Sequence, residues 1–256
     1  SRPAKHAKDP TQLLQIASRA QAAGRLKEAE DGYRTFLQRH PDYAPALHAL
    51  GLTLRAAGRT KAALGALRKA LRLDPNDVSC RANFANLLRE SGQLEDALVE
   101  YTKTLAAQPN HENARFNLAV TMFELGRFAE AAEGFAPLLA AHPQDAEVKQ
   151  RLLSSYLGAG EQAREAVNLD AAAKSYASAH TLVPDSVDAL LGLGIVARDR
   201  QELRSALRYF EQALVIESEH VDILLERAGT QLMLGEVEAA EDGFRALLAG
   251  DDLLAP

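Results

Sequence analysis

The chain has little of what a β-fold or a disulfide scaffold needs. Among its 256 residues there is no Trp, with only 8 Phe and 6 Tyr. Val and Ile, which favour strands, number 11 and 4. The single cysteine, Cys80, excludes an intramolecular disulfide and any multi-cysteine zinc site. No run approaches ~18 consecutive apolar residues, so nothing reads as a membrane-spanning helix. Ser1 to His6 carry no apolar signal core, and no N-x-S/T acceptor occurs. The first residue is not Met, which leads us to expect a trimmed or processed chain.

What is present points to helices. Ala and Leu number 48 and 40, and both stand high in helix propensity. A charged fraction of 25% and a hydrophobic fraction of 47% exclude wholesale disorder. The net charge of −6 is uneven. Residues 1–77 hold 14 Lys/Arg against 7 Asp/Glu, a balance of +7, and residues 78–256 hold 15 against 28, a balance of −13. The basic third favours an acidic partner near the N-terminal end.

Self-similarity organises the rest. Ala-x-x-x-aromatic recurs at Ala29/Tyr33, Ala97/Tyr101, Ala131/Phe135, Ala172/Tyr176, Ala206/Phe210 and Ala240/Phe244, with Ala63/Leu67 as a seventh copy. The alanines are spaced 34, 34, 34, 41, 34 and 34 residues apart. Five residues before the Ala stands Gly24, Gly58, Gly92, Gly126 or Gly235, replaced by Gln201 in the sixth copy, while in the fifth the matching Gly160 is displaced by seven residues. Twelve residues after it stands Pro41, Pro75, Pro109, Pro143 or Pro184. Ser218 and Asp252 take that place in the last two copies. Gly ends a first helix, Ala lets two helices approach, the aromatic fills the gap, and Pro stops the second helix. Each unit is a helical hairpin that buries its apolar face only by stacking on neighbours.

These residues resemble the tetratricopeptide repeat (TPR) family, of bacterial type. Ala44 to Asp77 matches closely, with Leu47, Leu50-Gly51, Leu54, Gly58, Ala63, Leu67, Ala70 and Pro75. Seven repeats fall at 10–43, 44–77, 78–111, 112–145, 146–186, 187–220 and 221–254. Residues 1–9 form a basic leader, residues 10–254 one solenoid domain, and 255–256 a tail. The resemblance implies an all-α fold, a right-handed α-solenoid of stacked antiparallel helix pairs whose first helices line a concave face. Pro137 should kink the second helix of repeat four. Glu161 to Val167 form a seven-residue insertion in repeat five, expected to lengthen its second helix by about two turns. No polar capping helix follows repeat seven, so either the chain continues beyond Pro256 or that end packs on something.

No catalytic constellation appears. There is no HExxH, no phosphate loop and no nucleophile elbow, so no enzyme activity, cofactor or metal is expected. Gly192-Leu193-Gly194 lies in a helical repeat rather than after a strand. Cys80 reads as a buried or half-buried structural thiol.

Function therefore falls to the first-helix face. By family geometry that face carries His48, Arg55, Asn83, Asn86 and Arg89 in repeats two and three. Asn113, Phe116, Asn117, Val120 and Phe123 follow in repeat four, and Arg151, Ser154 and Leu157 in repeat five. Asp188, Leu191, Arg198, Asp222, Leu225, Glu226 and Leu232 complete it. Asn83, Asn86 and Asn117 can donate to and accept from a peptide backbone. Phe116 and Phe123, seven apart on one helix face, are candidate apolar anchors. Asn86, Asn117 and Arg151 match three positions of the TPR clamp for a C-terminal carboxylate. Ala82 and Glu147 replace its two lysines.

The expectation is a non-catalytic scaffold that binds an extended peptide or a partner helix in the groove. Two alternatives stand beside it. One is the substrate-recognition arm of a bacterial glycosyl- or sulfotransferase, suggested by His40 to Gly51. The other is self-assembly into a homo-oligomer through uncapped ends. Nucleic acid is not an expected partner, because dense basic clusters with interleaved aromatics are missing. A cytoplasmic location is favoured, with the periplasm as the alternative.

Overall fold

The computed structural model describes residues 10–251. The leader, the tail and the Asp252 position fall outside the described residues. Among those described there are fourteen helices and no strand. They alternate as first and second helices of hairpins. The first three pairs are α1 (Pro10–Ala22) with α2 (Leu26–Arg39), α3 (Ala44–Ala56) with α4 (Thr60–Leu73), and α5 (Val78–Glu90) with α6 (Leu94–Ala107). Then come α7 (Glu112–Glu124), α8 (Phe128–Ala141), and α9 (Ala146–Glu165) with α10 (Leu169–Leu182). The last pairs are α11 (Val187–Asp199) with α12 (Leu203–Ile216), and α13 (Val221–Met233) with α14 (Val237–Asp251).

The helices gather into two compact units, divided between Leu125 and Gly126. Within the first unit, α3 touches α1 and α5, and α5 touches α7, so first helices stack on first helices. Within the second, α11 touches α9 and α13 in the same way. The all-α architecture of stacked antiparallel pairs is thus as the repeat pattern implies.

The signature residues make the core. Ala29, Ala63, Ala97, Ala131, Ala172 and Ala206 have no solvent exposure, and the ring or Leu four residues on is buried beside each. The close approach is steric as well as apolar. A Cβ added at Gly192 would lie 2.4 Å from the Tyr176 ring, and one at Gly194 would lie 2.3 Å from Phe210. Small residues on the first helix and rings on the second are two halves of one contact.

The insertion lengthens the other helix of repeat five. The first helix, α9, has 20 residues where the other first helices have 13, and the second, α10, keeps 14. Gly160 lies inside α9 and is buried. A Cβ there would meet the Tyr176 ring at 2.8 Å, so this glycine serves packing and does not end the helix. Val167 takes the cap with φ 58°, and Gln201 does so in repeat six with φ 64°. Each is followed by the bond that closes a glycine cap: the Asn168 amide donates to Ala163 O at 2.8 Å, as the Arg25 amide does to Ala20 O at 2.9 Å. A β-branched residue in the left-handed region is strained by about 1–2 kcal/mol. In α8, the helix runs on through Pro137 to Ala141, without the hydrogen bond that Pro cannot donate.

Candidate functional site

In the first unit, residues one repeat apart meet across the stacked first helices. Asn83 Nδ2 lies 3.1 Å from His48 Nε2, and His48 Nδ1 lies 3.3 Å from Asp77 Oδ2. Asn117 Nδ2 donates to Asn86 Oδ1 at 3.0 Å, and the Tyr101 hydroxyl donates to the same oxygen at 2.7 Å. Asn86 Oδ1 thereby uses both its lone pairs inside the protein. Burial pushes the Tyr101 phenol up to about 12, keeping it a donor throughout the ordinary pH range. Arg55 Nε donates to Glu90 at 2.9 Å and Arg89 Nη1 to Glu124 at 2.9 Å, each pair 35 residues apart. Of the groups expected to hold a peptide, Asn86 and Asn117 bond to each other, Asn83 faces His48, and Arg55 and Arg89 are held by carboxylates.

The remaining expected residues of this unit divide. Asn113 is exposed, and Phe116 and Phe123 are half-buried. Val120, expected on the open face, has 4% exposure and belongs to the core instead. It sits one residue after Ala119, which is also fully buried, so this turn of α7 packs inward.

Cys80 is fully buried, as expected, with its thiol 3.9 Å from Leu67 O. Burial, reinforced by the Asp77 charge, raises it to about 12, so it is no nucleophile. The fold also places His48 and Asp77 beside it. One ligand atom from each of the three lies within 4.8 Å of the others, a group able to hold a metal ion. No spacing motif marks these residues, because they come from two repeats.

In the second unit Arg198 and Glu226 pair across α11 and α13, while α9 and α11 leave an opening between them. A recess of about 260 Å³ lies between α9 and α11. Leu157, Leu191 and Ile195 form aliphatic walls, Tyr176 and Gly192 contribute the floor, and Glu161 and Asp188 bring carboxylates. The extra turns of α9 deliver Glu161, which accepts from the Tyr176 hydroxyl at 3.0 Å. Arg164 donates to the same carboxylate at 3.1 Å. That hydrogen bond holds the Glu161 carboxyl below the usual range against the opposing effect of burial, and Tyr176 adds to the lowering. The Tyr176 phenol is raised, first by burial and then by Glu161. Asp188 is exposed.

Of the residues expected from the sequence here, Leu157 and Leu191 line the recess. Ser154 is half-buried, and Arg151 pairs with Glu147 one turn before it at 3.0 Å. Arg198 pairs with Asp199 and Glu226. Glu161, Tyr176, Gly192 and Ile195 were missed. The ring comes from a second helix, and Glu161 lies in the insertion. On α13 and α14, Leu225, Leu232, Met233 and Val237 are exposed apolar side chains. No described helix is long and apolar enough to cross a membrane.

Comparison with known proteins adds the following. A family model for the TPR domain of cytochrome c-type biogenesis protein H matches residues 11–149. A tetratricopeptide repeat model matches residues 157–216 and 191–253. No curated protein matches the chain significantly. Among solved structures, Naa15/Naa10 bound to HypK-THB is similar with a TM-score of 0.69 at 20% identity. That match covers 95% of this chain, which spans only 37% of the other chain's length. A tetratricopeptide repeat protein from Parabacteroides merdae is similar with a TM-score of 0.55 at 18% identity, covering 94% of this chain and 92% of that one. YrrB, described as a TPR protein with an unusual peptide-binding site, gives 0.50 at 17% identity, covering 75% and 95%. At these identities the likeness is one of fold.

Proposed function

This chain belongs to the tetratricopeptide repeat family, and from that premise we propose a non-catalytic interaction module that grips a peptide or partner helix at the recess between α9 and α11. The observation that carries this reading is the recess itself, with aliphatic walls and carboxylates from Glu161 and Asp188. A side chain with an apolar stem and a cationic head, Lys or Arg, suits that lining. Glu161 already has Arg164 and Tyr176 as partners, so Asp188 is the carboxylate offered to the ligand. Leu157, Ser154 and Arg151 border the anchor on α9. In the first unit, Arg55, Asn83, Asn86, Arg89, Asn113, Phe116, Asn117 and Phe123 supply secondary contacts.

The test is a random-peptide selection against the full chain. Selected peptides should share a Lys or Arg next to apolar residues, and Asp188→Asn should weaken them. Selection of acidic peptides insensitive to Asp188→Asn would overturn the reading. A second reading, self-association through the last helix pair, is supported by exposed Leu225, Leu232, Met233 and Val237. Sedimentation over a range of concentrations tests it, and a monomer throughout removes it.

A further inference from the structure

We propose that His48, Asp77 and Cys80 form a binding site for a divalent transition-metal ion of the zinc type, joining the second repeat to the third. This inference stands apart from the recess and does not rest on it. The donor set is one imidazole nitrogen, one carboxylate oxygen and one thiolate, a mixture that suits zinc better than calcium or magnesium. His48 Nδ1 and Asp77 Oδ2 are 3.3 Å apart. Two ligands of a tetrahedral zinc ion, each at ~2.0–2.1 Å, stand about 3.3 Å apart. The sulfur lies within 4.8 Å of both, so a modest side-chain rotation closes the third bond.

The surroundings hold each ligand in place. Asp77 caps α5, its Oδ1 accepting from the Cys80 amide at 2.8 Å, which leaves Oδ2 turned to His48. Cys80 stands in the first turn of α5, and its buried thiol gives up its proton to solvent as the ion binds. Asn83 sits on the far nitrogen of His48. With its amide rotated, Asn83 accepts the Nε2 proton and fixes the tautomer that binds through Nδ1. One divalent cation with one carboxylate and one thiolate is neutral overall, which a largely buried site requires. Cys80 is buried, while His48 and Asp77 keep 15% and 29% of their side-chain surface. The ion enters from that side, which leaves a fourth position for water.

The arrangement is particular to this junction. At the position of Cys80 the flanking repeats carry Ala46 and Ala114, both buried. At the position of His48 the next two carry Ala82 and Phe116. Cys80→Ala therefore places a side chain the fold already uses there, and the variant should fold.

The experiment titrates cobalt(II) into the full chain under reducing, oxygen-free conditions. An equimolar complex is expected, with a thiolate-to-cobalt charge-transfer band and the visible bands of a tetrahedral ion, both displaced by zinc. Cys80→Ala should abolish the charge-transfer band while circular dichroism keeps its helical form. His48→Gln and Asp77→Asn should each weaken cobalt binding by about tenfold or more. The proposal is overturned if cobalt binds without the thiolate band, if the band survives Cys80→Ala, or if none forms at millimolar cobalt. In each of these cases the three residues are a hydrogen-bonded joint only.

Discussion

The two units solve the same packing problem and leave different surfaces. In both, buried alanines and rings hold second helices against first helices. In the first unit the stacked first helices are laced together by polar pairs one repeat apart: His48 with Asn83, Asn86 with Asn117, Arg55 with Glu90 and Arg89 with Glu124. In the second, two extra turns of α9 and the glycines facing Tyr176 open an aliphatic recess edged by carboxylates. A row of polar side chains on a groove face is therefore not by itself a binding surface. Groups that satisfy each other stiffen the stack, and the place for a ligand lies where the lining is apolar and less paired.

The largest effect should come from filling the contact that shapes the recess. Gly192→Val drives side-chain atoms into the Tyr176 ring and should cost about 3 kcal/mol by denaturant melting. The control in the first unit, Gly65→Ala, meets nothing within 4 Å and should stabilise by about 0.5–1 kcal/mol. Next comes Asn86→Ala. It strips the shared acceptor from Tyr101 and Asn117 and should cost about 1–3 kcal/mol, with peptide binding little changed. If Asn86→Ala leaves stability untouched, the interlocking of the first unit is wrong.

Smaller effects sharpen the contrast. Val167→Gly relieves the left-handed cap at a site 79% exposed and should raise stability by about 1 kcal/mol. Arg55→Ala removes a partly exposed pair with Glu90 and should cost at most about 1 kcal/mol, shrinking further in high salt. The last prediction is a titration. Tyr101 is raised in the folded chain, so its contribution is whole below the ordinary tyrosine value of about 10 and fades as pH climbs through about 12. Tyrosinate absorbance should show Tyr101 and Tyr176 titrating late. Ordinary titration of all six tyrosines before unfolding would contradict the burial described for both rings.

The repeats were legible because each position recurs with one physical duty. Seven alanines in phase fix the helix pairs more firmly than any local propensity. The insertion was misassigned because Gly160, counted forward, looks like a cap. Counted back from Ala172, the cap falls on Val167, a residue nobody would choose for a positive φ. How the polar residues of that face pair with one another was not read from the sequence. Yet Arg55/Glu90 and Arg89/Glu124 both stand 35 apart, and that repeated spacing of opposite charges was a readable signal. Val120 was misplaced because its short apolar side chain packs into the core between Ala119 and Thr121, both fully buried. The recess depends on a ring from α10 reaching between two glycines, and the cluster of His48, Asp77 and Cys80 on residues from two repeats. Neither has a one-dimensional pattern.

On the function proposed above, the anchor lies in the second unit's recess and not on the first unit's polar row. The most direct measurement is the affinity of one selected peptide for two variants of the full chain, Leu191→Ala and Asn117→Ala, by fluorescence anisotropy. Leu191→Ala should weaken binding by about tenfold or more, and Asn117→Ala should change it by less than about twofold. The opposite order, with Asn117→Ala abolishing binding and Leu191→Ala leaving it intact, would contradict the account.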